Sequence, residues 1–108
     1  MTVSQFVNQS GFSAVSLPHP EREITGCYIG DLLSWVMGRC GDGELWITIM
    51  SNVNVVAVST LADAASVILA EGVTLDDEVL KVALEKGVNV LSTELSAYEA
   101  ARAVAALI

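Results

Sequence analysis

Gly26, Gly30 and Asp31 fall where a strand is predicted to pass into a helix. Such a passage can hold a phosphate or carboxylate, because glycines admit close backbone approach and a helix N-terminus presents free N–H donors. Asp31 also suits the N-cap itself, where its carboxylate would accept those N–H groups and oppose an incoming anion. Both readings stay open: a structural turn with a cap, or a ligand site. The spacing Gly-x-x-x-Gly-Asp is neither a Walker loop, which needs a Lys and a Ser or Thr, nor a dinucleotide fingerprint. A second polar group, Thr48, Ser51, Asn52 and Asn54, comes where another strand ends, the usual place for ligands in open parallel sheets. Its hydroxyls and amides fit a neutral polar ligand and equally fit turn chemistry. Thr93, just beyond a later strand, has the same placement. Tyr28 and Trp46 lie on predicted strands, as core or dimer-contact residues or as a stacking surface.

None of these groups forms a catalytic set. His19 stands between Pro18 and Pro20 with no partner at a useful spacing, so a nucleophile would lack its base. Most carboxylates belong to helix exteriors or turns, which leaves no pair set apart for acid–base work. Cys27 and Cys40 are too few for a disulfide scaffold and read as buried or half-buried thiols. No metal site or cofactor is implied.

The elements that must position these residues follow from periodicity. Thr2 to Asn8 is predicted as a short helix ended by Gly11, and Phe12 to Leu17 as a strand running into the Pro18-His19-Pro20 loop. Ile24 to Ile29 is a strand, followed by a helix with Asp31 at its N-cap and Leu32, Leu33, Val36 and Met37 on one apolar face, stopping near Gly38. Leu45 to Met50 is a strand, Ser51 to Asn54 a polar turn, and Val55 to Val58 another buried strand. Leu61 to Ala65 supplies one or two helical turns with Asp63 near their start, and Val67 to Ala70 a strand. Thr74 is predicted to cap a helix with Asp77 three residues on, closed by Gly87. Val88 to Leu91 is the next strand, and Ser96 to Leu107 an alanine-rich last helix. Strands alternating with helices through short links imply a largely parallel sheet covered by helices.

With 108 residues, 53% of them hydrophobic and 17% charged, the chain is long enough for one core and too apolar for disorder, so 1–108 is predicted as one domain. No apolar run approaches the roughly 20 residues of a membrane span, and the start lacks the basic region of a secretory signal, so a soluble cytoplasmic protein is expected. Net charge is −8, with the basic residues Arg22, Arg39, Lys81, Lys86 and Arg102 scattered. Nucleic acid and acidic membranes are therefore excluded as partners.

Ile24-Thr25-Gly26-Cys27-Tyr28-Ile29-Gly30-Asp31-Leu32-Leu33-Ser34, with Val36-Met37-Gly38, Leu45-Trp46-Ile47-Thr48 and Asn54-Val55-Val56-Ala57-Val58, resembles the DRTGG domain family. The likeness extends through Lys81 to Thr93 and Ser96 to Glu99. It implies an α/β, three-layered sandwich like the N-terminal domain of HPr kinase/phosphorylase, and a regulatory part with dimer contacts while chemistry resides elsewhere. Relatives include the regulatory insert beside CBS domains in pyrophosphatases and non-catalytic parts of phosphate acetyltransferases. The chain departs from the family at the motif that names it. Ser59-Thr60-Leu61 stands where Gly-Asp-Arg would be, and Ala70-Glu71-Gly72 where Thr-Gly-Gly would be.

The leading expectation is a non-catalytic, homodimeric regulatory module that binds a small metabolite or nucleotide, docks on a partner enzyme, or does both. Its candidate ligand residues are Gly26, Tyr28, Gly30, Asp31, Ser34, Thr48, Ser51, Asn54 and Thr93. Two alternatives stand beside it: an enzyme subunit or small transferase whose site is completed across a dimer interface, and a passive interaction scaffold.

Overall fold

The computed structural model describes residues 1–108. Helix α1 (Val3–Ser10) is followed by strands β1 (Ser13–Ser16) and β2 (Gly26–Ile29), helix α2 (Leu33–Arg39) and strand β3 (Glu44–Thr48). Helix α3 (Val53–Ala62), strand β4 (Ser66–Leu69), helix α4 (Asp77–Lys86), strand β5 (Val90–Ser92) and helix α5 (Ala97–Leu107) complete the chain. The strands form one sheet in the order β1-β5-β4-β3-β2. Strands β2 to β5 are mutually parallel, and β1 closes the far edge antiparallel to β5. The sheet is thus largely parallel, as its alternating strands and helices predict.

Helices cover both faces, which makes the three layers. Trp46, Val67, Leu69 and Val90 point to one face and pack with Val36 of α2, Val55 and Val58 of α3 and Ala83 of α4. Leu45, Ile47, Ile68 and Leu91 point to the other and meet Val3 and Phe6 of α1 and Ala100 and Val104 of α5. Residues alternate faces along each strand, yet both faces are dry. This is why Leu45–Thr48 and Val67–Leu69 read as unbroken apolar runs.

Several local expectations are corrected. Val55 to Val58 is helical, not a strand: three successive parallel strands need crossovers, and the β3-to-β4 step uses these residues for its own. Their β-branched character is overridden because Val55, Val56, Val58 and Ala62 all find buried positions beneath the helix. The polar turn at Ser51 to Asn54 is the start of that helix, with the Asn52 side chain accepting a hydrogen bond from the Asn54 N–H at 2.9 Å. Asp63 does not begin a helix but ends α3, in the left-handed region with φ of 55°. Thr74 is not a cap either, since α4 starts after Asp76, which itself makes no side-chain cap bond. Helix α2 runs through Gly38 to Arg39, and its exposed Leu32 and Met37 leave Val36 as its only fully buried side chain. No helix is long and apolar enough to cross a membrane.

Candidate functional site

Because β2 to β5 are parallel, their C-terminal ends share one edge of the sheet and their N-terminal ends the other. Most of the residues singled out by sequence lie on the C-terminal edge. Asp31 is there, and it is not the N-cap of α2: that position belongs to Leu32, without a side-chain bond. The Asp31 carboxylate instead reaches across to β3, accepting from the Thr48 hydroxyl at 2.8 Å and the Ile49 N–H at 3.0 Å. The Thr48 oxygen in turn accepts from the Met50 N–H at 3.1 Å. Gly30 donates its N–H to Ile47 O and its carbonyl accepts from the indole N–H of Trp46 at 2.8 Å. A side chain at Gly30 would meet the Tyr28 ring, whose Cε2 lies 2.9 Å from the position a Cβ would take. Tyr28, Gly30, Asp31 and Thr48 therefore form one bonded and packed group that ties the end of β2 to the end of β3.

The other residues stand apart from that group. Gly26 is at the opposite end of β2, where a Cβ would lie 2.8 Å from Glu44 Oε2 and the carboxylate would have to move aside. Ser34, Ser51 and the Asn54 side chain are not hydrogen-bonded to the Asp31 group. Thr93 lies further along the same edge, beyond β5, beside a shallow hollow of about 90 Å³ that it shares with Ser13, Gly72 and Thr74. Its hydroxyl accepts from the Leu95 N–H and its own N–H bonds Leu69 O.

The N-terminal edge is built differently. Asn89, only 3% exposed, holds the Pro18-His19-Pro20 loop against the sheet: its Oδ1 accepts from the His19 N–H at 2.9 Å, and its Nδ2 donates to His19 O at 2.7 Å and Ala65 O at 3.0 Å. A polar concavity of about 190 Å³ opens beside it, where α3 and α4 both end. His19, Arg22 and Lys86 enter it together with Ser59, Thr60 and Asp63. The chain carries five Lys and Arg and one His, so half of its basic side chains meet at this one place.

Charges in the concavity are partly paired. The Arg22 guanidinium donates to Asp63 Oδ1 and Asp42 Oδ1, each at 2.8 Å, and to the Asp63 carbonyl at 2.9 Å. The hydrogen bond from Arg22, helped by one with Asp42, holds the Asp63 carboxyl below the usual aspartate range. Asp42 goes the other way, raised chiefly by its hydrogen bond with Asp63. Lys86, in the last turn of α4 where a cation complements the helix dipole, has no carboxylate partner. Ser59 is 3% exposed and its hydroxyl makes no hydrogen bond within the protein. Since no fully enclosed polar side-chain atom lacks a partner, that oxygen is reached from the concavity.

Along the outer seam of α3 and α4 runs a second, apolar groove of about 460 Å³, lined by Val53, Val56, Ala57, Leu61 and Val82. It shares Thr60 and Lys86 with the polar concavity. Sequence reasoning passed over this corner because His19, Arg22, Ser59 and Lys86 are far apart in the chain and only the two helix ends bring them together. Both thiols have another character. Burial, with the nearby Glu44 charge, pushes Cys27 and Cys40 up to about 11, so they stay protonated at neutral pH.

The sequence of the DRTGG domain matches this chain over residues 24–107. In fold the chain is similar to the CBS and DRTGG domains of the regulatory region of Clostridium perfringens pyrophosphatase, solved in complex with an activator, diadenosine tetraphosphate. The likeness has a TM-score of 0.73 at 13% identity, over 95% of this chain and 45% of that one. The chain thus spans less than half of the structure it resembles, and at this identity the likeness concerns the fold. No curated protein matches it.

Proposed function

The chain belongs to the DRTGG domain family, and from that premise we propose that it is a non-catalytic regulatory module of one domain, cytoplasmic and homodimeric, that binds a small nucleotide-class ligand and transmits its presence to a partner enzyme. The observation that carries this reading is the meeting of His19, Arg22 and Lys86 in one concavity of a chain whose net charge is −8. An anionic ligand needs local positive charge, and the rest of the surface repels it. The neighbour that shares the fold has a dinucleotide activator bound to its regulatory region, which supports a nucleotide as the ligand class.

The C-terminal edge is the proposed docking side. Ile29, Leu32, Trp35 and Ile49, all roughly half exposed, surround the Asp31 and Thr48 group, with Ser34, Ser51 and Asn54 as polar neighbours. Exposed apolar side chains gathered on one side of so small a protein support contact with a second copy or a partner. In this reading Asp31 and Thr48 set the shape of a contact surface and have no part in bond chemistry.

Thermal unfolding in the presence of AMP, ADP and diadenosine tetraphosphate tests the ligand half. A nucleotide at about a hundred times its Kd adds ~2.7 kcal/mol to stability and raises Tm by several degrees. Light scattering tests the other half, with a mass twice that of the chain expected. A concentration-independent monomer that no nucleotide stabilises would rule the reading out. Turnover of a substrate by the pure protein, lost in Asp31→Asn without loss of folding, would replace it with an enzyme.

A further inference from the structure

The polar concavity and the apolar groove adjoin, and their union has the shape and polarity of one amphiphilic ligand. We infer that the seam of α3 and α4 binds a phosphate monoester carrying an apolar or planar body, with the phosphate at Lys86, Arg22 and Ser59 and the body along Ala57, Leu61 and Val82. The inference rests on the ligand-binding reading above and gives it a place and a chemistry.

Three independent features point to a ligand here. Ser59 is almost wholly buried as a residue, and its hydroxyl, which has no partner within the protein, opens into the concavity where a ligand can bond it. Lys86 projects an unpaired ammonium at the junction of the two compartments. Leu61, 73% exposed, and Val53, 49% exposed, each stand one turn from Ala57, on either side of it and on the same face of α3, an apolar stripe with nothing packed on it. The groove's 460 Å³ falls within the roughly 300–1,000 Å³ of small-molecule sites.

Electrostatics decide what the polar end takes. Arg22 and Lys86 carry two permanent positive charges there, but Asp63 and Asp42 both hold Arg22, which leaves Lys86 as the unpaired ammonium. The C-terminal ends of α3 and α4 add partial negative charge, so net charge alone does not hold an anion here. A doubly charged phosphate attached to a body with its own contacts fits such a site better than a free anion, because the apolar seam contributes most of the burial. Thr60, whose hydroxyl already donates to Val56 O at 3.0 Å, can accept from a hydroxyl of the body where the two compartments meet.

Isothermal titration of the full chain with AMP, adenosine and inorganic phosphate tests this. AMP should bind at least tenfold more tightly than either fragment. Lys86→Ala should weaken AMP and phosphate alike by about tenfold, the cost of one charge-assisted contact. Ser59→Ala should weaken both by a few-fold. Leu61→Ser should weaken AMP several-fold and leave phosphate unchanged. Arg102→Ala, which removes the same charge from α5 on the opposite face, should bind as the parent does. Circular dichroism at each step keeps a folding defect separate. AMP binding untouched by Lys86→Ala and Leu61→Ser but lost in Asp31→Asn would move the site to the other edge, sinking this inference and sparing the regulatory reading. No binding of AMP, ADP or diadenosine tetraphosphate by the folded parent chain would sink both.

Discussion

The two edges of the parallel sheet use their polar residues in opposite ways. At the C-terminal edge Asp31, Thr48, Gly30 and Trp46 satisfy one another, and their hydrogen bonds lock β2 to β3. At the N-terminal edge Asn89 and Arg22 do the structural work, while Lys86 and the Ser59 hydroxyl are left without partners beside an open concavity. Ligands in open α/β sheets ordinarily sit at the C-terminal edge. Here the Asp31 and Thr48 pair at that edge is consumed by the fold, and at the other edge Lys86 and the nearly buried Ser59 keep polar groups unspent. Spare hydrogen-bonding capacity is therefore a better guide to the site in this chain than position relative to the strands.

The largest expected effect comes from removing Asn89. Asn89→Ala leaves the His19 N–H, His19 O and Ala65 O without partners and should cost about 3 kcal/mol, read by urea unfolding. If the loop instead holds without it, the cost stays below about 1 kcal/mol and the N-terminal edge is not organised around this residue. Gly87→Ala should rank next. Gly87 has φ of 71°, and a Cβ there would lie 2.7 Å from His19 Nε2, so ~1–2 kcal/mol is expected from strain and displacement of the ring. AMP affinity should fall with it, because His19 would be pushed out of the concavity.

Asp31→Ala sharpens the other side of the comparison. Two hydrogen bonds to an exposed carboxylate disappear, worth about 1 kcal/mol after solvent screening. Thermal unfolding should show that loss, and the nucleotide-induced rise in Tm should be the same as for the parent chain. A rise abolished by Asp31→Ala would reverse the roles assigned to the two edges.

Much of this architecture is legible in the sequence, and the failures share one cause. Glycine-closed and capped segments, such as Gly11 after α1, Gly87 after α4 and Ser96 before α5, appear where local chemistry demands, since the signal and the structure occupy the same few residues. Val55 to Val58 is misread because periodicity cannot separate a buried strand from a helix covered on several sides. Asp31 looks like a cap because a cap is the nearest use for an Asp before a helix. The donors it really accepts from, the Thr48 hydroxyl and the Ile49 N–H, are 17 and 18 residues away. The corner formed by His19, Ser59 and Lys86 is invisible for the same reason. Ser59, Thr60 and Leu61, where the chain departs from its family's naming motif, prove to line the two concavities, so the departure falls at the place with capacity to spare.

The smallest effect concerns acid. The Arg22 bond holds Asp63 below the ordinary aspartate range, so its contribution to stability is complete above about pH 4 and is lost as pH falls through the lowered folded value. Asp42 is raised, so its contribution has the opposite sense, present at low pH and lost as pH rises through the folded value. The two partly cancel, and both carboxylates face solvent, so the net slope is shallow. Arg22→Ala abolishes the Asp63 part. The stability difference between the parent chain and this variant should therefore be greatest at pH 5–7 and shrink toward pH 3, in urea unfolding at low salt. A difference that is flat across that range would mean that Arg22 is not held by the two aspartates. Its guanidinium would then be free to turn wholly toward a bound phosphate, and the contrast between a spent edge and an unspent one would be stronger still.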